Sequence, residues 1–310
     1  MDEELSLHSA SDNQTWFFTL IRSAEEERNA NLLIESLRNH GGALSHCPVF
    51  VFLLEVPNAT GSYLGLQDVH PVPLQIKEPF QPYYFAHKVL ACARAEEMAG
   101  EEVLSLVWLS TNTLITKPPT LFILADTSDA AFRPVHIQNI GSPADKALDG
   151  FWKEIYRTVG LEDVRHSVTS TIDQKTIRPY FNTHLFSIDP SKGVLQAWWN
   201  VFKKMAFDNP FQEEFCKDID HQIFLHQAIL STLVVKMLDW DRILQLPSDY
   251  SYPLHFHQQM GRTQQFDALN EIVCPVYEGS FQYPETLNGL EVREPLKSWL
   301  ENLVSTEGSN

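Results

Sequence analysis

Positive charge is what this sequence has least of: 23 lysines and arginines stand against 40 aspartates and glutamates in 310 residues, a formal charge of −17. Such a balance repels polyphosphate backbones and anionic membrane surfaces unless a local basic cluster overrides it. No basic cluster stands in the sequence, so neither DNA nor RNA is expected as a partner. Long hydrophobic runs are lacking too. The longest, residues 49–54, falls far short of the ~20 apolar residues that span a bilayer, and the opening Met1-Asp2-Glu3-Glu4 is acidic where a secretion signal is basic. A cytoplasmic chain without a membrane span is expected. The few cysteines, Cys47, Cys92, Cys216 and Cys274, form no CxxC pair and no finger spacing, which argues against a disulfide framework and a zinc knuckle.

What remains is an ordinary globular composition, 44% hydrophobic and 20% charged, which excludes intrinsic disorder and fibrous repeats. Residues 16–21 form an aromatic and β-branched run, as in a buried strand, and Ser23 with Glu26 has the spacing of a capping box. Ala30, Leu33, Ile34 and Leu37 follow at helical period, Gly41-Gly42 ends the helix, and residues 49–54 make a second strand. This βαβ opening predicts an α/β fold with a mostly parallel sheet flanked by helices, because strands buried on both faces need no polar alternation. A short strand is expected near residues 72–76 within a proline-rich loop, then a helix through Ala86, Val89, Leu90 and Ala93, and a strand over 103–109. Further on, the pattern predicts a helix at 151–159, a strand at 180–188, a helix through Leu195, Trp198 and Phe202, a helix at 222–238 and a terminal helix at 294–304. The aromatic, His-rich segment 250–257 reads as strand-like. No linker, repeat or low-complexity stretch interrupts the chain, so one domain is expected over 1–310.

Several segments, taken in order, resemble the glycogenin- and galactinol-synthase-like glycosyltransferases of GT-A fold. The first strand leads to a helix ending Ser36-Leu37-Arg38, as in that family. Val107-Trp108-Leu109-Ser110-Thr111-Asn112 falls where the family carries its Leu-Asp-x-Asp metal motif. Tyr180-Phe181-Asn182-Thr183-His184 is similar to the Phe-Asn-x-Gly strand that opens the acceptor side. His226-Gln227-Ala228-Ile229-Leu230-Ser231 resembles the Asp-Gln-Asp-x-Leu-Asn helix, and Leu246-Pro247 with Tyr250 resembles a Leu-Pro and aromatic segment. The resemblance implies a GT-A-like fold with an N-terminal nucleotide-binding half and a C-terminal acceptor-side half. It also implies a nucleotide-diphosphate sugar as donor, an acceptor it does not specify, and a divalent metal, manganese or magnesium.

The metal is disfavoured by the residues themselves. A hard cation held by two carboxylates offsets the charge of a leaving diphosphate, yet Ser110 and Asn112 occupy those two positions as neutral oxygen donors. His226 stands for the first Asp of the acceptor helix, Ala228 for the second, and His184 for the glycine. A transferase without that metal needs cations of its own. Arg22, at the carboxyl end of the first strand, Lys88 and His257 are the candidates, while the plainer reading of Lys88 is a solvated lysine on an amphipathic helix. His255 and His257 hold the place of a late His that completes the family's metal site, or pack in the aromatic segment.

His226 reads both as a hydrogen-bonded core histidine, on an apolar stripe with Ile229, Leu230 and Leu233, and as an acceptor-side group beside the sugar. Asn182 and Gln227 carry amides suited to sugar hydroxyls. The expected site thus combines His226 and Gln227 as catalytic residues with Thr19, Arg22, Lys88, Ser110, Asn112, Asn182, His184, His255 and His257 as nucleotide-sugar ligands. The alternative is a non-catalytic member that binds a nucleotide, a sugar or a protein on the same scaffold. A sugar-phosphate nucleotidyltransferase would need a glycine-rich loop after its first strand, and residues 23–29 contain no glycine.

Overall fold

Local sequence chemistry sets the first βαβ unit. The computed structural model describes residues 14–54, 61–77, 80, 82–124, 126–277 and 289–307. Strand β1 (Thr15–Ile21) leads into helix α1 (Ala24–His40), whose N-cap Ser23 accepts the Glu26 N–H through its hydroxyl. Ala30, Leu33, Ile34 and Leu37 form the buried stripe of that helix. Strand β2 (Val49–Leu53) then pairs parallel to β1 with Phe17 opposite Val49. Strand β3 (Val69–Pro73) begins three residues before the strand expected near 72–76 and lies parallel to β2 at the sheet edge. Pro71 and Pro73 can stand there because an edge strand has one side with no ladder to donate to.

Helix α2 (Ala86–Met98) and strand β4 (Ser105–Leu109) follow as expected, and then comes strand β5 (Ala130–Pro134), which the sequence pattern did not show. Five residues with two alanines and a terminal proline carry little strand propensity. After helix α3 (Gly150–Val159), the short strands β6 (Val168–Thr169) and β7 (Thr176–Ile177) pair antiparallel, and β8 (Phe181–Ile188) enters the main sheet. Helices α4 (Val194–Ala206), α5 (Asn209–Phe215) and α6 (Ile219–Met237) precede β9 (Ile243–Gln245). A parallel pair, β10 (Tyr250–Pro253) and β11 (Cys274–Val276), and helix α7 (Leu296–Glu307) complete the order. The segment 254–259 after β10 is a 3-10 helix, not a continuation of the strand.

The seven-stranded sheet has the order β3-β2-β1-β4-β8-β5-β9. β8 runs antiparallel to both neighbours, β4 and β5, and the other pairs are parallel. Side-chain alternation sends Phe18, Leu20, Leu106 and Trp108 to one face with α2, α4 and α6, and Phe17, Ile21, Val107 and Leu109 to the other with α1. Among the described residues no helix is long and apolar enough to cross a membrane. All four cysteines are buried, and none is in a disulfide.

One hydrophobic cluster runs from Phe18 to Ile243 and takes in residues of both halves, and on this ground we propose that the chain folds as one domain. Its centre includes Trp198, which is fully buried and donates its indole N–H to the His226 carbonyl at 2.7 Å, tying α4 to α6. Urea unfolding followed by fluorescence and circular dichroism should give one coincident transition. Trp198→Ala should lower its free energy by ~3–5 kcal/mol. Two separate transitions would contradict the one-domain organisation.

Candidate active site

The parallel strands β1 and β4 end at the same edge of the sheet, where open α/β sheets form ligand crevices. A cavity of about 600 Å³ lies there, and its lining includes Arg22, Ser110, Asn112, Asn182 and Gln227. Arg22 follows β1 directly. Its backbone N–H donates to Glu26 at 2.7 Å, and its guanidinium forms an ion pair with the same carboxylate. The residues that cap α1 therefore also set Arg22 at the cleft mouth, with its charge partly offset.

Ser110 and Asn112 occupy the turn after β4. The Ser110 N–H donates to the His184 carbonyl at 2.8 Å, and the Asn112 amide donates to the Tyr277 carbonyl at 2.9 Å. Asn112 is thus engaged in joining this turn to the segment after β11.

The floor is built around Thr183 on β8. Its carbonyl accepts both the Lys88 ammonium from α2 and the Trp108 indole N–H from β4, the latter at 3.0 Å. Its hydroxyl lies 3.1 Å from His226 Nε2 and 3.3 Å from Gln227 Oε1. Lys88 is only 6% exposed and also lies over the faces of Phe85 and Trp108. Burial pushes its pKa down to about 7, Arg22 adds to that shift, and the Cys92 thiol opposes it. Lys88 is therefore no solvated lysine: its helix turns it inward, against β8.

His226 is buried. Nδ1 faces the Ile223 carbonyl at 2.8 Å, an acceptor only, so Nδ1 carries the proton and Nε2 is left as an acceptor that shares the single Thr183 hydroxyl hydrogen with Gln227 Oε1. Burial, with the charges of Lys88 and His184, holds this imidazole well below its usual pKa and hence neutral at pH 7. Phe85 stacks on it with ring centroids 4.3 Å apart. Phe85 itself adopts φ +60, a left-handed backbone that bulky side chains rarely take and that concentrates at functional sites.

The His184 N–H donates to Asn182 Oδ1 at 2.7 Å, and Asn182 lines the cavity. His184 and His255 also line the cavity. Burial first, then Lys88 and His255, lower the His184 pKa to about 3.

The chain matches the Rhodobacterales glycosyltransferase domain over residues 17–238. It belongs to that family. No curated protein matches it. Among solved structures it is similar to the galactosyltransferase LgtC in complex with donor and acceptor sugar analogs, at 12% identity, with 95% of each chain covered and a TM-score of 0.53. It is also similar to an active-site mutant of LgtC at 10% identity, covering 94% of this chain and 95% of that one, with a TM-score of 0.55. These likenesses are likenesses of fold, and the fold is GT-A.

For this glycosyltransferase-family chain, nine of the eleven expected site residues line one cavity: His226, Gln227, Arg22, Lys88, Ser110, Asn112, Asn182, His184 and His255. Thr19 does not reach it. Leu20 and Arg22 do, and the two-residue period of a strand sends Thr19 to the opposite face, where it is buried. His257 is absent from the lining too, because the 3-10 turn carries it away and its Nδ1 meets the Tyr252 hydroxyl at 2.6 Å. The lining residues do not fit the divalent metal that the fold family implies. Ser110 and Asn112 bring no charge, the Asn112 amide is engaged with Tyr277, and among the described residues no three His, Cys, Asp or Glu side chains stand close enough to hold a metal ion.

Sequence reasoning missed His136, Phe85 and Tyr180, all in the lining. His136 follows β5, the strand that the pattern did not show, and no motif marked it. The aromatic pair Tyr84-Phe85 just before α2 was the one signal for Phe85.

Lys88 has a lower pKa in the folded than in the unfolded chain, so between about pH 7 and 10.5 the unfolded state binds more protons, and this group's contribution to stability rises with pH through that window. Lys88→Met should remove that rise and stabilise the protein near pH 7 by an amount on the order of a few kcal/mol at most. Denaturant unfolding at pH 7 and pH 9 measures it. An unchanged pH slope in the variant would contradict the burial of the ammonium.

Proposed function

We propose that the protein is a glycosyltransferase that binds a nucleotide-diphosphate sugar and transfers the sugar to an acceptor hydroxyl without a bound metal. The observation that carries this reading is the Lys88 ammonium, buried in the cleft floor against a backbone carbonyl and in no ion pair with a carboxylate among the described residues. In the reaction the bond between the sugar's anomeric carbon and the phosphate oxygen breaks, the diphosphate leaves with the electron pair, and the acceptor oxygen bonds to the anomeric carbon while its proton passes to the departing diphosphate. A preorganised cation in a water-poor site stabilises that developing charge far more than it would in water.

Lys88 fills this role from the floor and Arg22 from the mouth. The Arg22–Glu26 pair is half-exposed and contributes little to stability, so a diphosphate can displace Glu26 at small cost. Ser110 and the remaining acceptor of Asn112 meet the nucleotide end, where they donate or accept without holding a cation. Asn182 amide hydrogens and Gln227 bind sugar hydroxyls. His226 is held neutral and hydrogen-bonded on both nitrogens, and a base so depressed takes up protons poorly. We therefore assign it to positioning: it fixes Thr183 and, through Phe85, the wall of the sugar subsite. The acceptor side opens toward Phe224 and Phe256.

Calorimetry against uridine and guanosine diphosphate sugars tests this directly. At least one donor should bind with an affinity changed less than about threefold by manganese or a chelator, and Lys88→Gln should weaken it by about tenfold or more. Replacing Ser110 and Asn112 together by Asp should create manganese dependence, since two carboxylates add the charge that a hard cation requires. Strong manganese dependence of the unmodified protein would contradict the reading. Failure of every donor to bind would favour the non-catalytic member of the fold instead.

A further inference from the structure

Two imidazoles of the cleft lining leave ring nitrogens without a hydrogen-bond partner among the described residues. His136, carried by the segment after β5, is 7% exposed, and neither of its ring nitrogens has a hydrogen-bond partner among the described residues. Nδ1 of His184, on β8, has none either. The two rings lie 23° from parallel with centroids 6.2 Å apart, and both residues belong to the cavity lining.

The groups that act on this pair come from every neighbouring element, and all of them are basic. Lys88 on α2 acts on His184, Arg133 on β5 acts on His136, and His255 after β10 acts on both. No carboxylate is among the groups that act on the two rings. Asp249 acts on Arg133, while Glu25 and Glu26 line the cleft at the start of α1 and Glu26 holds Arg22. Buried polar groups normally find partners, and three unpartnered nitrogens on one wall leave an anion-shaped deficit.

We propose that His136 and His184 form a subsite for the acidic group of a sugar, a carboxylate or phosphate borne by the hexose itself and distinct from the nucleotide diphosphate. This rests on the reading of the cleft as a sugar-transfer site. The subsite adjoins the proposed diphosphate site at His184, on which Lys88 also acts, and extends from there to His136 after β5.

Burial and mutual repulsion keep both imidazoles neutral in the free protein. An entering carboxylate reverses that balance: it accepts charge-assisted hydrogen bonds, about twice as strong as neutral ones, and raises the basicity of both rings. The ligand therefore brings a proton with it. A neutral hexose can hydrogen-bond the same rings as they stand and takes up none, so proton uptake is the signature that tells the two apart.

The test is calorimetry of the full chain at pH 6.5 and pH 8 in buffers of different ionisation heat, with paired probes. One arm compares UDP-glucuronate with UDP-glucose. The other, with UDP present, compares glucuronate and glucose 6-phosphate with glucose. The acidic member should bind at least tenfold more tightly in one arm, with proton uptake and with affinity falling as pH rises. A preference in the first arm places the acid on the donor, and in the second on the acceptor. His136→Gln and, independently, His184→Gln should bring the ratio near one, with thermal unfolding of each variant checking that it folds.

Equal binding of acidic and neutral members in both arms, a preference without proton uptake, a preference that survives both variants, or no binding of any hexose would each overturn the subsite. Binding of glucuronate or glucose 6-phosphate without any binding of UDP or its sugars would uphold the subsite and overturn the donor reading.

Discussion

The carbonyl of Thr183 is the point on which the site depends. It accepts from Lys88 and from Trp108, so one oxygen fastens helix α2 and strand β4 to β8. The hydroxyl of the same residue meets His226 and Gln227 on α6. β8 can present Thr183 in this way because it runs antiparallel between β4 and β5, which delivers its first residues, rather than its last, to the edge where the parallel strands end. The antiparallel strand is thus what brings Asn182, Thr183 and His184 into the crevice together.

Burying an ammonium against a carbonyl is costly, since no opposite charge offsets the desolvation. The fold sustains that cost through the aromatic rings around it, Phe85 and Trp108, whose faces attract a cation. The outcome is a basic interior in an otherwise acidic chain. With a net charge of −17, the outer surface repels polyanions, while the cleft holds Lys88, Arg22 and imidazoles for a small anion that can enter. On the proposed reading, that contrast favours a compact anionic sugar nucleotide over a nucleic acid.

Much of this was legible in the sequence, and the failures have physical causes. The capping spacing Ser23 to Glu26 and the end of the first strand placed Arg22 at the crevice, because caps and strand ends are local. Lys88 stayed undecided: a helical period says that a residue lies on a face, not that a sheet covers that face. His136 was invisible because β5 is short, alanine-rich and ended by proline, so its strand status comes from pairing with β8 and β9 rather than from propensity. Thr19 was expected among the ligands, and the two-residue strand period sends it to the face opposite Leu20 and Arg22. His257 was read from a strand-like pattern, and a 3-10 turn redirects it.

The central claim is that a buried, unpaired lysine takes the place of the metal in meeting the donor's diphosphate. It is tested most directly by an NMR titration of the lysine side chains labelled at Cε, with Lys88 assigned through the signal lost in Lys88→Gln. The account predicts a Lys88 pKa of about 7 in the free protein and a clear rise on addition of UDP with chelator present. A Lys88 pKa at the ordinary value of 10.5, unmoved by UDP, would contradict it.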